Sequence, residues 1–272
     1  MKTYRYAYVE DARCRVDVPA LFDRRLGSFD RFLDYVRPLA AERLPDYTQA
    51  LTETLNRQAR LENLPEPYMA RLKGMRNWSQ EENLLRSAAR FYLGELNCLD
   101  RLTEGRPVEV LSADAIRAYL KLAHLKVSGL EILMPKKNAL AAWMDFLDRD
   151  IHNLSIKAVS SIEGMFWAGN QPAGLFKDSF DCSEFDLEDG RVGVKIRKCR
   201  WKNILAEFSD PEYAYAIACH YDFAAAKAAN LNFILTRTQT LTQNASYCDF
   251  VWHDLRRDKD CRHPDSRFWD AL

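Results

Sequence analysis

Four side chains in the C-terminal third of the chain have the types and spacing that small-molecule chemistry needs. Cys219 and Asp222 lie three residues apart in a segment of helical periodicity, so they share one helix face. Arg237 and Cys248 each fall among alternating apolar residues, where a charged group is costly unless it is paired. A buried guanidinium suits a substrate carboxylate, because its fork of N–H groups binds both carboxylate oxygens.

These four residues together predict nucleophilic catalysis by a thiol. A neighbouring arginine lowers the pKa of a thiol and favours the thiolate that attacks. We expect Cys248 to be the nucleophile, with Cys219 as the alternative, Asp222 as the base and Arg237 as the carboxylate anchor. His220 joins the catalytic candidates, because an imidazole beside Cys219 titrates near neutral pH. Ordinary packing of the cysteines is the competing interpretation, since free cysteine is often buried.

A metal site is a second possibility for the same cysteines. Cys199, Cys219 and Cys248 together with His220 would complete a tetrahedral zinc site. The scattered spacing of these residues makes that arrangement weak, so we predict no cofactor.

The elements that must position these side chains predict an α+β fold. Three- and four-residue apolar repeats indicate helices in the first half of the chain, and the clearest repeat consists of Phe22, Leu26, Phe29, Leu33 and Val36. An alternating pair of segments surrounds Asp189-Gly190 and predicts a hairpin. A helix that begins at Asp210-Pro211 follows. A second hairpin comes next: its first strand runs through Arg237 to Leu241, and its returning strand carries Cys248.

This order of elements predicts the domain boundaries. We expect a helical region over residues 1–165 and a smaller α+β domain with a mainly antiparallel sheet over residues 166–255. The smaller domain carries the candidate site. Residues 256–272 are strongly charged and are expected to form a tail.

Composition restricts the classes of function. Lysine plus arginine and aspartate plus glutamate number 39 each, so net charge gives no reason to expect nucleic acid as a partner. No apolar run is long enough for a membrane span, and the usual nucleotide, zinc-protease and serine-hydrolase motifs are absent. Seven cysteines without C-x-x-C spacing suggest free thiols in the cytoplasm.

Three short pieces of the sequence resemble the L-2-amino-thiazoline-4-carboxylic acid hydrolase-like family. They are "RKCRWKNIL" (197–205), "CHYD" (219–222) and "RTQTL…YCDF" (237–241 and 247–250), and they cover only about residues 185–254. The resemblance implies hydrolytic opening of a small ring that contains nitrogen and sulfur and bears a carboxylate. We expect the substrate to contact residues of these pieces, namely Arg237, Asp249, Cys199 and Trp201. Thr238 and Thr240 alternate away from Arg237, so they contact the substrate only if the strand bulges or is open on both sides.

Other functions fit the same residues. A cyclase or transferase of small-molecule biosynthesis would run related chemistry in the opposite direction. A protein that only binds or senses a small ligand needs the pocket but no nucleophile. The helical half is a possible site of homo-oligomer formation, because its amphipathic helices must pack against something.

Overall fold

The computed structural model describes residues 3–103, 106–153, 158–162 and 178–272. The chain divides into two compact units. One comprises Arg13–Phe146, and the other comprises Met1–Ala12 together with Leu147–Leu272. The predicted boundary at residue 165 falls within residues 163–177, which lie outside the described residues.

The first unit is mainly helical. Its helices are α1 Val18–Ala40, α2 Leu44–Gln58, α3 Glu66–Lys73, α4 Trp78–Glu95, α5 Ser112–Gly129 and α6 Lys136–Arg149, whose last turn extends past the unit. Strands β2 (Arg13–Val16) and β3 (Val108–Leu111) form a separate antiparallel pair. The Asp17 side chain caps α1 by accepting a hydrogen bond from the Ala20 N–H at 3.0 Å. The predicted apolar face of α1 is confirmed, because all five of its residues are buried.

The second unit contains a five-stranded antiparallel sheet. Its strands are β1 (Thr3–Tyr6), β4 (Phe180–Asp186), β5 (Arg191–Cys199), β6 (Phe233–Thr236) and β7 (Cys248–Asp254), in the spatial order β1-β4-β5-β7-β6. Asp189 and Gly190 have positive φ angles of 49° and 78°, which the turn between β4 and β5 requires. The predicted α+β class and the first hairpin are confirmed.

In the described part of this unit, four helices accompany the sheet: α7 (Arg200–Leu205), α8 (Pro211–Ala214), α9 (Tyr221–Ala229) and α10 (Ser266–Asp270). The single helix predicted from Pro211 is interrupted. Residues Tyr215–Cys219 form a π-helical turn, in which the His220 N–H donates to the Tyr215 carbonyl at 2.9 Å. Such turns insert one extra residue into a helix and often mark functional sites.

The two faces of the sheet pack against different parts of the unit. Cys248, Phe250 and Trp252 of β7 pack with Phe233, Leu235 and the alanines of α9, and we call this side the helix face. Asp249, Val251 and His253 alternate to the other side, which we call the C-terminal face. There Val251 packs with Phe185, Tyr247 and Trp269.

Two predicted segments differ from the structure. The chain's first strand pairs with β4, with Thr3 opposite Phe185, although four residues were too short to show a strand pattern. Residues 256–272 do not behave as a free tail, because Trp269 of α10 is only 1% exposed. Both differences arise from contacts between residues that are distant in sequence.

Candidate functional site

Arg237 lies at the centre of the candidate site on the helix face. Its Nη1 donates to Asp222 Oδ2 at 3.1 Å and to the Cys219 carbonyl at 3.2 Å. The guanidinium carbon lies 4.8 Å from the centre of the Phe223 ring, 5.1 Å from Phe250 and 5.2 Å from Tyr215. The side chain is only 2% exposed. Among the described residues, Nη2 is buried without a hydrogen-bond partner.

The short length of β6 explains this placement. β6 ends at Thr236 instead of continuing to Leu241 as predicted. Leu235 is opposite Trp252 and Thr236 is opposite Val251, so the same alternation carries Arg237 to the helix face beside Phe250. Arg237 and Cys248 therefore project from one face of the sheet.

Asp222 is the charged partner of Arg237. About a third of its side chain is exposed (34%), whereas the guanidinium is shielded from water. Burial raises the pKa of the Asp222 carboxyl to about 6, although Arg237 lowers it. Burial also lowers the pKa of Arg237, but the Asp222 and Cys219 charges outweigh that effect and raise it. At neutral pH the pair is ionised, with a carboxylate that can accept a proton near pH 6.

The three predicted cysteines gather around this ion pair. Burial is the main cause that raises the pKa of Cys199 and of Cys248, and neighbouring acidic groups add to it: Cys219 and Asp222 for Cys199, and Cys199 and Cys219 for Cys248. Arg237 lowers the pKa of both Cys219 and Cys248. These interactions join residues from β5, the π turn, α9 and β7, so the tertiary structure brings together the cluster that we predicted.

The expectation that the thiols are thiolates at rest is wrong. Burial raises the pKa of Cys219 to about 11 and that of Cys199 to about 12, and it raises the pKa of Cys248 further. The attraction to Arg237 acts in the predicted direction but is weaker than the cost of removing a negative charge from water. All three cysteines are therefore thiols at neutral pH.

Two threonine hydroxyls lie beside Cys219. The sequence predicted one of them, Thr240, as a site residue but not the other, Thr242. Thr242 Oγ1 lies 3.0 Å from Cys219 Sγ and 2.8 Å from Thr240 Oγ1. Thr240 also caps a short 3-10 helix over Leu241–Gln243, where Gln243 N donates to its hydroxyl at 3.3 Å. Thr240 thus reaches the cysteine side because the chain leaves the strand after Thr236. Thr242 gave no signal, since a threonine in a polar turn is ordinary.

Cys248 is held more tightly than Cys219. Its sulfur accepts a hydrogen bond from the Leu241 N–H at 3.2 Å, and the residue is 5% exposed. Cys199 caps α7 and accepts from the Lys202 N–H at 3.5 Å. Trp201 lies in the first turn of α7 and is 8% exposed, and its backbone N–H lowers the Cys199 pKa. Of the three sulfur atoms, the one beside the threonine hydroxyls has the pKa closest to neutral.

Asp249 and Thr238 lie on the C-terminal face and not in the cysteine cluster. The Asp249 carboxylate accepts hydrogen bonds from the Thr238 N–H at 2.8 Å and the Gln239 N–H at 2.9 Å, and also from the Thr238 hydroxyl. Burial opposes ionisation, but the nearby His263 ring and the hydrogen bonds from Thr238 and Gln239 hold the Asp249 pKa below its usual range. These bonds end β6 and fix the backbone beside Arg237, which connects the two halves of "RTQTL…YCDF".

His220 faces a different partner from the one predicted. Its Nε2 lies 3.3 Å from Asp148 Oδ1, and its ring packs against Phe223 at 5.8 Å. Among the described residues, no hydrogen bond joins the His220 ring to a thiol. Within the described ranges, no three histidine, cysteine, aspartate or glutamate side chains are arranged to hold a metal ion, so the four-residue zinc arrangement is not formed there.

A cavity of about 550 Å³ lies elsewhere, between the β4–β5 turn and the C-terminal segment. Its wall includes Arg191, Arg262, His263 and Phe268. It therefore belongs to the C-terminal side of the unit and does not open on the cysteine cluster.

Comparison with known proteins agrees with the resemblance seen in the sequence. Residues 136–252 match the family model of L-2-amino-thiazoline-4-carboxylic acid hydrolase, a segment that includes every residue of the cysteine cluster. No curated protein and no solved structure matches the chain. Of the helices in the described part of the chain, none combines the length and apolar character that crossing a membrane requires. Over residues 136–252, the chain is therefore similar to the L-2-amino-thiazoline-4-carboxylic acid hydrolase family.

Proposed function

We propose that this protein is a hydrolase that opens a small, carboxylate-bearing heterocycle with C–N and C–S bonds. The observation that supports it best is the buried Arg237 guanidinium, whose Nη2 has no hydrogen-bond partner among the described residues while Nη1 pairs with Asp222. A buried donor without an acceptor is unfavourable, and a substrate carboxylate would supply the acceptor. Three aromatic rings lie 4.8–5.2 Å from the guanidinium carbon, so the proposed anchor sits among apolar faces that suit a small ring.

In this proposal Cys219 replaces Cys248 as the preferred nucleophile. Cys219 is partly exposed, has the lowest raised pKa of the three thiols and contacts the Thr242 hydroxyl. Cys248 is buried and its sulfur is occupied by the Leu241 N–H. Asp222 lies three residues after Cys219 and carries a carboxylate whose pKa of about 6 suits proton transfer near neutral pH. Since Cys219 rests as a thiol, attack requires loss of its proton during the step.

The proposed reaction follows from the electrophilic ring carbon that is bonded to both nitrogen and sulfur. The Cys219 sulfur adds to this carbon while Asp222 accepts the thiol proton. The bond from that carbon to one ring heteroatom breaks, and the heteroatom takes the proton from Asp222. Water then displaces Cys219 from the opened product and restores the thiol. Arg237 holds the carboxylate throughout, so its contribution is mainly to binding and orientation.

Turnover of 2-amino-thiazoline-4-carboxylate and related cyclic amino acids, followed by liquid chromatography and mass spectrometry, tests the proposal. We expect Cys219→Ser to lower kcat by about 100-fold or more, because a neutral hydroxyl is a weaker nucleophile than a thiol that loses its proton. Arg237→Lys keeps the charge but loses the fork of donors, so we expect a raised KM. Cys261→Ser is the matched control, since Cys261 lies outside the cluster.

Two results would contradict the proposal. Wild-type turnover by Cys219→Ser would exclude Cys219 as the nucleophile, and unchanged KM in Arg237→Lys would exclude the anchor. Absence of turnover for every cyclic carboxylate tested, combined with no thermal stabilisation of the protein by any of them, would reject the substrate class itself.

A further inference from the structure

A chain of hydrogen bonds joins Asp258, His253, Thr236 and His263 on the C-terminal face of the sheet, separate from the cysteine cluster. Asp258 Oδ2 lies 2.5 Å from His253 Nδ1, and His253 Nε2 lies 2.7 Å from Thr236 Oγ1. The same hydroxyl lies 2.9 Å from His263 Nδ1. On the other side of that ring, His263 Nε2 lies 3.3 Å from Asp249 Oδ2, at ion-pair distance but without hydrogen-bond geometry. His253 is fully buried, and the side chains of Asp258 and His263 are each 12% exposed.

The position of each proton follows from the partners. The Asp258 carboxylate can only accept a hydrogen bond, so Nδ1 of His253 carries the proton that it donates. In the neutral imidazole, Nε2 is then left as an acceptor. Burial lowers the pKa of His253 and so favours this neutral form, although Asp258 raises it. The Thr236 hydroxyl must then donate to His253 and accept from Nδ1 of His263. One lone pair of the hydroxyl oxygen remains free for attack.

We propose that Thr236, His253 and Asp258 form a second, nucleophilic site that accepts the acyl group of a small ester. The hydroxyl-to-imidazole contact and the imidazole-to-carboxylate contact reproduce the nucleophile, base and orienting acid of hydrolytic triads. The three residues come from the end of β6, from β7 and from the segment after β7. This site needs none of the cysteines and is independent of the hydrolase proposed above.

The His263 side chain lies between this hydroxyl and the cavity and separates them. Its imidazole contacts Thr236 on one side and lines the cavity of about 550 Å³ on the other. This volume is suitable for a small molecule, and Leu187 and Phe268 give the cavity wall apolar surface. Thr236 is half-buried and lies one side chain behind the wall. Displacement of the His263 ring would join the cavity to the hydroxyl without disturbing His253 or Asp258.

The reaction at this site is acyl transfer. Oγ1 of Thr236 adds to the ester carbonyl carbon while its proton passes to Nε2 of His253. The bond to the leaving alcohol breaks, and the alcohol departs with that proton. Water then adds to the acyl-threonine and gives a proton to His253. When the acyl group leaves as a carboxylic acid, that proton returns to Oγ1.

A fluorescent alkyl phosphonofluoridate tests the proposal, because such probes label hydroxyl nucleophiles that an adjacent base activates. We expect mass spectrometry of the full-length labelled protein, after digestion, to place the label on Thr236. Thr236→Val should abolish this label, and Thr236→Ser should restore it with a rate several times that of wild type, because a primary hydroxyl is less hindered. His253→Gln should slow labelling by about 100-fold.

The His263→Ala variant tests the blocking role of His263 independently of the three triad residues. Removal of the imidazole opens a path from the cavity and leaves the Thr236–His253 hydrogen bond, so we expect labelling to become several times faster. Absence of label on Thr236 in both wild type and His263→Ala would overturn the proposal. Equal labelling rates for His253→Gln and wild type would also overturn it. Circular dichroism of each variant confirms that a lost label does not reflect lost folding.

Discussion

Replacement of Arg237 by methionine tests whether the ion pair at the centre of the site is as strong as its geometry implies. Methionine has a similar length and can keep the contacts with Phe223 and Phe250, so the change removes mainly the charge and its hydrogen bonds. The variant leaves Asp222 without its cation. The pKa of Asp222, already about 6, should then rise further, because Arg237 now lowers it.

The magnitude follows from the distance and the exposure of the pair. Two unit charges about 3 Å apart attract by about 5 kcal/mol at an effective dielectric constant of about 20. Water screens this attraction, because about a third of Asp222 is exposed. Exposed pairs contribute at most about 1 kcal/mol, and breaking buried pairs costs about 3–5 kcal/mol. We therefore expect a coupling free energy of about 2 kcal/mol between Asp222 and Arg237.

A double-mutant cycle with Asp222→Asn, Arg237→Met and the combined variant measures this coupling. Urea unfolding is followed by far-UV circular dichroism and by tryptophan fluorescence, and coincidence of the two curves establishes a single transition. At pH 5, below the Asp222 pKa of about 6, the carboxyl is mostly protonated and the coupling should nearly vanish. Additive effects at pH 7.5, or the same coupling at both pH values, would refute the reasoning.

Three other predictions follow from the surroundings of single side chains. Asp222→Asn should speed alkylation of Cys219 by iodoacetamide at pH 8 several-fold, because the carboxylate raises the Cys219 pKa, while labelling of Cys261 stays unchanged. Asp249→Asn should lower the free energy of unfolding by about 2–3 kcal/mol in urea titrations, because the carboxylate accepts three hydrogen bonds that an amide accepts less well. Thr238→Val removes one of these bonds and should lower the free energy of unfolding by only about 1 kcal/mol. Burial holds the pKa of His253 below its ordinary value, so as pH falls the unfolded chain binds a proton at His253 before the folded chain does. The urea midpoint should therefore drop between pH 7.5 and 5.5, and less in His253→Gln.

The pH dependence of the urea midpoint should be measured in a variant that lacks the opposing contribution of Asp222. The Asp222 pKa is raised in the folded state, so protonation of Asp222 stabilises the fold as pH falls through about 6, opposite in sign to the effect of His253. Asp222→Asn removes this contribution. Equal acid sensitivity of His253→Gln and its parent in that background would contradict the assignment of a neutral, buried imidazole. For the other two predictions, faster labelling of Cys261 together with Cys219, or equal costs for Asp249→Asn and Thr238→Val, would count against the stated causes.

Local patterns in the sequence were sufficient for several features. The repeat from Phe22 to Val36 predicted the buried face of α1, and Asp189-Gly190 predicted the β4–β5 hairpin, because periodicity and turn chemistry act over a few residues. Alternation also carried Arg237 and Cys248 to the same side, even though β6 stops short. "RTQTL…YCDF" pointed to a structural unit, and Asp249 is the residue that joins its halves.

Tertiary structure alone decided how the site behaves chemically. The sequence placed an arginine near thiols and so predicted thiolates, but the degree of burial, which depends on residues from distant segments, reverses the sign of the pKa shift. The π turn that sets Cys219 against Thr242 breaks a pattern that was regular in the sequence. The Thr236–His253–Asp258 contacts likewise require β6, β7 and the C-terminal segment to meet. Periodicity fixes which side of an element a residue faces, whereas solvation and partners depend on what packs against that side.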